Sequence, residues 1–174
     1  MGARNEPMTI TTNVPCPVTL RSIRPDETGR FASQLANYLA EVRPEARLDV
    51  MQRAGQLLNR RDTDVWWLVD QATTVGFAVV LKLPDDRREL SEFTIFPQYR
   101  RKGLGKLAAQ HVLETHRGHW RMGISRKSHA AIAFWGTCLS LLPNIEDLRS
   151  GAAFAAEQEK SFTFVIGSGA VGPN

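Results

Sequence analysis

The chain of 174 residues has two cysteines and no long apolar segment. Cys16 and Cys138 cannot build a disulfide framework, and so few cysteines fit a reducing compartment. The longest apolar run, from Val75 to Leu81, is far too short to span a bilayer, and the first fifteen residues contain no apolar signal segment. These absences predict a cytoplasmic protein without a membrane partner.

Motifs for metal binding and for nucleophilic catalysis are also missing from the sequence. The four histidines lie between His111 and His129, but neither a cysteine pair nor an H-E-x-x-H motif accompanies them. No Ser-His-Asp or Cys-His signature is present either. We therefore expect a site that contains no metal.

The composition is that of an ordinary globular protein. With 43% hydrophobic and 23% charged residues, the sequence is neither disordered over most of its length nor a coiled coil. Its length suits one hydrophobic core. We expect a single domain over residues 17–166, preceded by a disordered leader (1–16) and followed by a flexible tail (167–174).

The positive charge is concentrated in one segment. The whole chain carries +4, a total too small to indicate a nucleic-acid partner. Residues 97–128, however, contain eight Lys and Arg against a single acid, Glu114, which leaves the rest of the chain slightly acidic. This basic segment predicts one localised anionic partner.

Hydrophobic periodicity predicts the order of strands and helices. Strands are predicted at Val18–Ile23, Val65–Val69, Val75–Leu83, Leu90–Phe96, Trp120–Ser125 and Ser161–Ile166. Helices are predicted from a cap at Asp26 through Leu39 and over Ala46–Asn59, Leu104–His116 and Ala130–Leu141. Short turns between the second, third and fourth strands predict antiparallel pairing. The order predicts an α/β (α+β) fold: a mixed, mainly antiparallel sheet of six to seven strands with helices on both faces.

The most specific local feature joins a strand end to a helix through a basic turn with two glycines. Gly103-Leu104-Gly105 opens the helix, where unpaired backbone N–H groups and the helix dipole favour an anion. Glycine lets that anion approach the backbone closely. Four cations around the turn add attraction at long range: Arg100, Arg101, Lys102 and Lys106. The pattern predicts a phosphate or pyrophosphate site.

Two other interpretations of this turn stay open. The stretch from Gly103 to Ala108 matches the dinucleotide pattern G-x-G-x-x-A, with Arg126 as a candidate reader of a 2′-phosphate. Six residues, Pro97 to Lys102, separate the preceding strand from Gly103, however, and this disfavours a βαβ unit. The turn could also be a solvated basic connection that binds no ligand.

Two motifs resemble those of the GNAT superfamily of acyl-CoA-dependent N-acetyltransferases, and they follow each other in the same order as in that family. Ile95-Phe96-Pro97 followed by Arg100-x-x-Gly103-x-Gly105 is similar to the family's acyl-CoA signature. SHAAIAFW, residues 128–135, is similar to its N-x-x-A-I-x-L/F-Y helix. The resemblance covers residues 17–166. It implies a V-shaped splay between the fourth and fifth strands, where the pantetheine arm of acetyl-CoA enters.

The resemblance also implies which residues hold acetyl-CoA as the co-substrate. The fourth strand would bind the pantetheine through the backbone of Phe93, Thr94 and Ile95. Backbone N–H groups of the turn would hold the pyrophosphate, and the second motif would line the thiol end. The candidate acetyl-CoA-binding residues beyond the fourth strand are therefore Arg100, Arg101, Lys102, Gly103, Leu104, Gly105 and Lys106 in the turn, and Ser128, Phe134 and Trp135 in the second motif.

The chain departs from the family pattern at two of these positions. Trp135 stands where the family usually has a tyrosine that protonates the departing thiolate, and an indole N–H does not release a proton at neutral pH. Ser128 stands where asparagine is usual. The hydroxyl of Tyr38, in the first predicted helix, is an alternative, although helix packing explains this residue equally well. Cys138, one turn beyond Trp135, fits core packing better than chemistry.

Glu92 is the first candidate for the base that takes a proton from the acceptor. It interrupts the run Leu90–Ile95, where an unpaired carboxylate is costly and often functional. Glu89, at the strand entrance, is the second candidate. Either carboxylate could instead lie in water or pair with Arg87, Arg88 or the basic segment.

The resulting hypothesis is an N-acetyltransferase that transfers the acetyl group of acetyl-CoA directly to a primary amine of a small molecule. Two alternatives stay open: a protein or peptide amine as the acceptor, and a catalytically weak or inactive acyl-CoA-binding domain of the same fold. The protein could also assemble as a homodimer. We expect no nucleic-acid partner.

Overall fold

A seven-stranded mixed sheet runs through the computed structural model, which describes residues 18–167. The strands are β1 (Val18–Ser22), β2 (Thr63–Asp70), β3 (Thr73–Lys82), β4 (Arg88–Ile95), β5 (Gly118–Ser125), β6 (Ile145–Ala152) and β7 (Gln158–Ile166). The helices are α1 (Thr28–Val42), α2 (Val50–Asn59), α3 (Leu104–Leu113) and α4 (His129–Leu141). The predicted leader, with Cys16, and the predicted tail beyond Gly167 lie outside the described residues.

The strand order in the sheet is β1-β2-β3-β4-β5-β7-β6. Neighbouring strands are antiparallel throughout this described sheet, except for β4 and β5, which run parallel. Parallel strands need a crossover, and α3 supplies it between β4 and β5. The predicted mixed, mainly antiparallel sheet is therefore confirmed.

Helices cover both faces of the sheet, as predicted. On one face, α1 and α2 bury Phe31, Leu35 and Leu57 against Trp67 and Phe77. On the opposite face, α3 and α4 close a second core whose members include Val112, Leu139, Trp120, Met122 and Phe164. Side chains alternate along a strand, so the adjacent Trp66 and Trp67 contribute to different cores. The sheet is thus buried on both sides where β2 to β4 lie.

Local details of α1 and α2 correct the sequence-based boundaries. Asp26 does not cap α1: a 3-10 turn, Pro25–Glu27, precedes the helix, and the Asp26 carboxylate pairs with Arg24 at 3.1 Å. α2 begins at Val50 rather than Ala46, because the Asp49 carboxylate accepts the N–H of Gln52 at 3.0 Å.

Two corrections concern the second half of the chain. α3 ends at Leu113, one turn earlier than predicted. β6 was not predicted as a separate strand, because most of its residues are exposed and its apolar residues follow no period. It forms because β7 offers a partner edge, from Ile145 opposite Ile166 to Ala152 opposite Lys160. Within residues 18–167, each helix is too short or too polar to cross a membrane.

Candidate active site

The central cleft lies where β4 and β5 separate. Only two residue pairs join these strands, Arg88 with Trp120 and Glu89 with Arg121, both in the amino-terminal halves of the strands. Beyond these pairs the strands diverge, as the predicted V-shaped splay requires. The diverging parts line a cleft with Leu90, Ser91 and Phe93 from β4 and Met122, Gly123, Ile124 and Ser125 from β5.

The cleft has two halves, one on each face of the sheet. The α4 half is lined by Ser128, Ala131 and Trp135 in addition to the strands. The α1 half is lined by five polar side chains, namely Arg43, Glu89, Glu92, Glu157 and Gln158. Both halves share the residues at their junction, which are Tyr38, Val42, Leu90, Ser91, Gly123 and Ser125. The splay therefore connects an apolar, aromatic half to a charged half through the sheet.

An irregularity in β4 decides which side chains face each half. Glu92 pairs with Val79 and Leu90 pairs with Val80, so Ser91 between them has no partner on β3. This bulge reverses the usual alternation. As a result Leu90 packs with the core under α3 and α4, while Glu92, two residues later, faces α1.

Glu92 is a buried carboxylate, with 3% of its surface exposed. The guanidinium of Arg43, which follows α1, lies 4.0 Å from it and 3.5 Å from the carboxylate of Glu157. Burial raises the pKa of Glu92, and the Arg43 charge and the adjacent Tyr38 hydroxyl offset part of that increase. Glu92 therefore lies in a water-poor position that opens onto the α1 half.

Glu89 is held differently from Glu92. Its carboxylate accepts the Nε–H of Arg121 at 2.7 Å and forms an ion pair with the same guanidinium. Arg121 in turn lies over the ring of Phe154, 4.6 Å from its centre. This pairing ties the ends of β4 and β5 together, so Glu89 is less free than Glu92 to accept a proton.

The amino terminus of α3 is open. Gly103 precedes the helix with a φ of 77°, and Arg101 also has a positive φ, 61°. Left-handed residues in such a turn direct successive N–H groups toward one side, where they form an anion-binding concavity. No side chain caps this end, and its first turn contains no acid. The geometry suits the predicted phosphate site.

The cations around this turn divide into two groups. Arg100 donates its Nε–H to the carbonyl of Ile95 at 2.7 Å and pairs with Glu41 of α1 at 3.0 Å. It therefore fastens the turn to β4 and α1. Arg101, Lys102 and Lys106 are exposed, and within the described residues none of them forms an ion pair. These three carry the charge that a bound anion would meet.

Gly105 has a packing role in addition to its place in the turn. A Cβ at this position would lie 3.2 Å from Cε2 of Phe134, so the missing side chain lets α3 approach α4. Phe134 then packs edge-on against Trp135, with 5.0 Å between ring centres. Leu104 is buried in the same core.

The second motif lines the α4 half of the cleft. Trp135 is 6% exposed and packs edge-on against Phe93 of β4, with 5.1 Å between ring centres. Ser128 precedes α4, and its side chain makes no capping bond. Cys138 is buried in the core, and burial raises the pKa of its thiol to about 11, so it stays protonated. Its environment is that of a packing residue.

Sequence reasoning missed Arg43 and Gln158. Gln158 is a buried polar residue, and a Cβ on Gly123 would lie 2.1 Å from its side-chain amide. The amide thus lies directly over the β5 backbone, and its oxygen accepts the N–H of Phe154 at 3.3 Å. Neither residue stands in a motif, so no local signal could have identified them. Within residues 18–167, no cluster of three His, Cys, Asp or Glu is placed to bind a metal ion.

Solved structures with a similar fold are acetyltransferases. An acetyltransferase from Thermus thermophilus matches with a TM-score of 0.65 at 16% identity, over 84% of this chain and 95% of that one. Spermidine N-acetyltransferase from Vibrio cholerae, in complex with CoA and spermine, matches with a TM-score of 0.63 at 11% identity, over 86% and 95%. PaiA N-acetyltransferase from Thermoplasma acidophilum, in complex with coenzyme A, matches with a TM-score of 0.61 at 12% identity, over 85% and 98%.

Sequence comparison adds the family. No curated protein matches the chain. The family model described as "Acetyltransferase (GNAT) family" matches residues 30–138, which is more than half of the sequence and includes both motifs. The chain therefore belongs to the GNAT family of acetyltransferases.

Proposed function

We propose that the protein transfers an acetyl group from acetyl-CoA to a primary amine of a small molecule, by direct attack within a ternary complex. The observation that carries this proposal is the cleft between the diverging β4 and β5, which has the buried Glu92 in its α1 half and Trp135 in its α4 half. Phe134 packs against Trp135 and lies next to Gly105, in the turn that opens α3. Membership of the GNAT family and the CoA-bound neighbours of similar fold support the choice of co-substrate.

The residues around the α4 half fit acetyl-CoA. The turn before α3 offers uncapped N–H groups and three exposed cations, which suits a pyrophosphate. The edge of β4 left unpaired by the splay suits an extended amide chain such as pantetheine, which would add to Phe93, Thr94 and Ile95 as an extra strand does. Acetyl-CoA would supply the activated acetyl group at this point.

The α1 half is the proposed acceptor site. Its polar lining comes from α1, β4, β5 and the segment before β7, which favours a small ligand over a folded protein surface. Glu92 is the proposed base that takes a proton from the amine, and a β4 N–H group would stabilise the oxyanion. Spermine occupies the similar Vibrio cholerae enzyme, which agrees with an amine acceptor.

A test separates catalysis from binding alone. We expect release of free thiol from acetyl-CoA in the presence of at least one amine from a broad panel of polyamines, amino acids, aminoglycosides and peptides. Calorimetry with CoA reports binding independently of turnover. CoA binding without turnover on any amine would instead support an acyl-CoA-binding domain, the alternative that Trp135 raises.

A further inference from the structure

Three hydroxyl groups lie at the junction of the two halves of the cleft. They belong to Tyr38, Ser91 and Ser125, each of which lines both halves. Ser125 is already committed, since it donates to the carbonyl of Val42 at 2.5 Å and accepts the N–H of Lys127 at 3.2 Å. Ser91 is an aliphatic alcohol, which releases a proton far less readily than a phenol. Tyr38 is therefore the strongest proton donor among these three groups.

The position of Tyr38 is set by packing. Its ring stands edge-on to Phe77, with 5.6 Å between ring centres. The hydroxyl lies beside the carboxylate of Glu92 and the backbone N–H of Phe93. Phe93 belongs to the part of β4 that the splay leaves unpaired with β5. The phenol thus lies at the junction of the two halves of the cleft, beside the β4 edge proposed for pantetheine.

We propose that Tyr38 is the acid of this transferase: its hydroxyl protonates the departing thiolate, and Glu92 returns to it the proton taken from the amine. The inference rests on the proposed function. Protonation of the thiolate would then come from α1 rather than from Trp135 of α4, because an indole N–H releases no proton at neutral pH.

The proton balance closes within the two residues. The amine nitrogen bonds to the carbonyl carbon, the carbon–sulfur bond breaks, and its electron pair goes to sulfur. The nitrogen loses a proton to Glu92, Tyr38 gives its proton to sulfur, and Glu92 then restores Tyr38. The amine enters in its neutral form, having left its ammonium proton in solvent, and both side chains end in their starting state.

Charge couples these two transfers. Burial and the charge of Glu92 raise the pKa of Tyr38 well above its ordinary value, so the phenol is protonated at neutral pH. When Glu92 accepts the amine proton, that charge disappears and Tyr38 becomes a stronger acid just as the thiolate forms. The other charges facing the pair are Arg43 after α1, Arg53 of α2, Glu89 of β4 and Glu157 before β7.

Kinetics of Tyr38→Phe test the acid role, since the variant keeps the ring and its packing. With acetyl-CoA we expect kcat to fall about 100-fold with KM unchanged, within the usual range for general acid catalysis. With phenyl thioacetate, whose thiolate leaves without a proton, the loss should nearly vanish. Trp135→Tyr added to Tyr38→Phe should recover part of the rate. Equal losses with both donors, or no loss with acetyl-CoA, would overturn the role.

A titration tests the pair without any acceptor. The chain has two tyrosines, so Tyr99→Phe leaves Tyr38 as the single phenol. Phenolate absorbance of this variant should rise at lower pH when Glu92→Gln is added, because the neighbouring charge is gone. Unchanged midpoints would overturn the coupling. If the unaltered protein transfers no acetyl group to any amine, the proposed function fails together with the acid role, whereas the titration still decides the coupling of the pair.

Discussion

Gly103→Asp places one negative charge at the proposed phosphate site and changes little else. A Cβ on Gly103 would meet no atom within 4 Å, so the substitution causes no clash. The residue has a φ of 77°, which strains most side chains, but Asp and Asn tolerate this region better than other non-glycine residues. Asp is also a favourable residue before a helix. We therefore expect the variant to fold.

The size of the effect follows from electrostatics. A carboxylate about 5 Å from one phosphate charge costs about 3 kcal/mol at an effective dielectric constant of about 20. Screening at 0.15 M salt, with a Debye length of about 8 Å, roughly halves this energy to about 2 kcal/mol. CoA affinity should then fall about 20- to 30-fold. At 0.01 M salt the same calculation gives a loss of about 100-fold.

Two matched variants isolate the charge. Gly103→Asn has the same shape and the same backbone strain without the charge, and it should bind CoA within a few-fold of the unaltered protein. Gly29→Asp adds an acid to the first turn of α1, where a Cβ also meets no atom within 4 Å, and it should leave CoA affinity unchanged. Calorimetry at both salt concentrations measures these affinities. Equal affinity of folded Gly103→Asp and Gly103→Asn would refute the assignment.

Two further predictions concern carboxylates on the α1 side of the sheet. Glu92→Gln should lower kcat/KM about 100-fold at pH 7 but much less at pH 9.5, where free amine and hydroxide are abundant and can take the proton instead, and a pH profile with equal losses would contradict a base. Glu27 is paired with Arg21 at 2.9 Å and accepts the indole N–H of Trp67 at 3.2 Å. These contacts, the Arg21 hydrogen bond above all, lower the pKa of Glu27 from 4.5 to about 2. Because Arg21 is 43% exposed, solvent screening reduces the benefit to about 1 kcal/mol. The lowered pKa means that this stabilisation is present above pH 4.5 and is lost as pH falls toward 2. Urea unfolding should therefore show Glu27→Gln destabilised at pH 7 and progressively less so toward pH 2, and a difference that does not depend on pH would contradict the pairing.

Much of the fold was predictable because its signals are local. The apolar spacing in α1, α3 and α4 and the continuous apolar runs in β2 and β3 identify these elements within a few residues of their observed bounds. β6 was missed because its exposed residues carry no periodic signal and its pairing depends on β7. The start of α2 was missed because Asp49, rather than periodicity, sets where the helix begins.

The candidate site was predictable to the extent that it lies in motifs. The turn at Gly103, the neighbouring cations and Trp135 occur in continuous stretches of sequence, so their neighbourhood could be inferred without the fold. Arg43, just after α1, and Gln158, the first residue of β7, line the same half of the cleft only once the sheet is assembled. No pattern of residue types connects them to Glu92.

The sequence by itself determined the order of elements, the basic glycine turn and the absence of the usual tyrosine at position 135, because each depends on residues close together in the chain. Only the tertiary structure decided that Arg100 is bound to Glu41, and that Tyr38 meets Glu92 beside Phe93. It also decided that the bulge at Ser91 turns Glu92 toward α1. These arrangements depend on strand register and on contacts between distant segments, and neither is encoded in any local pattern.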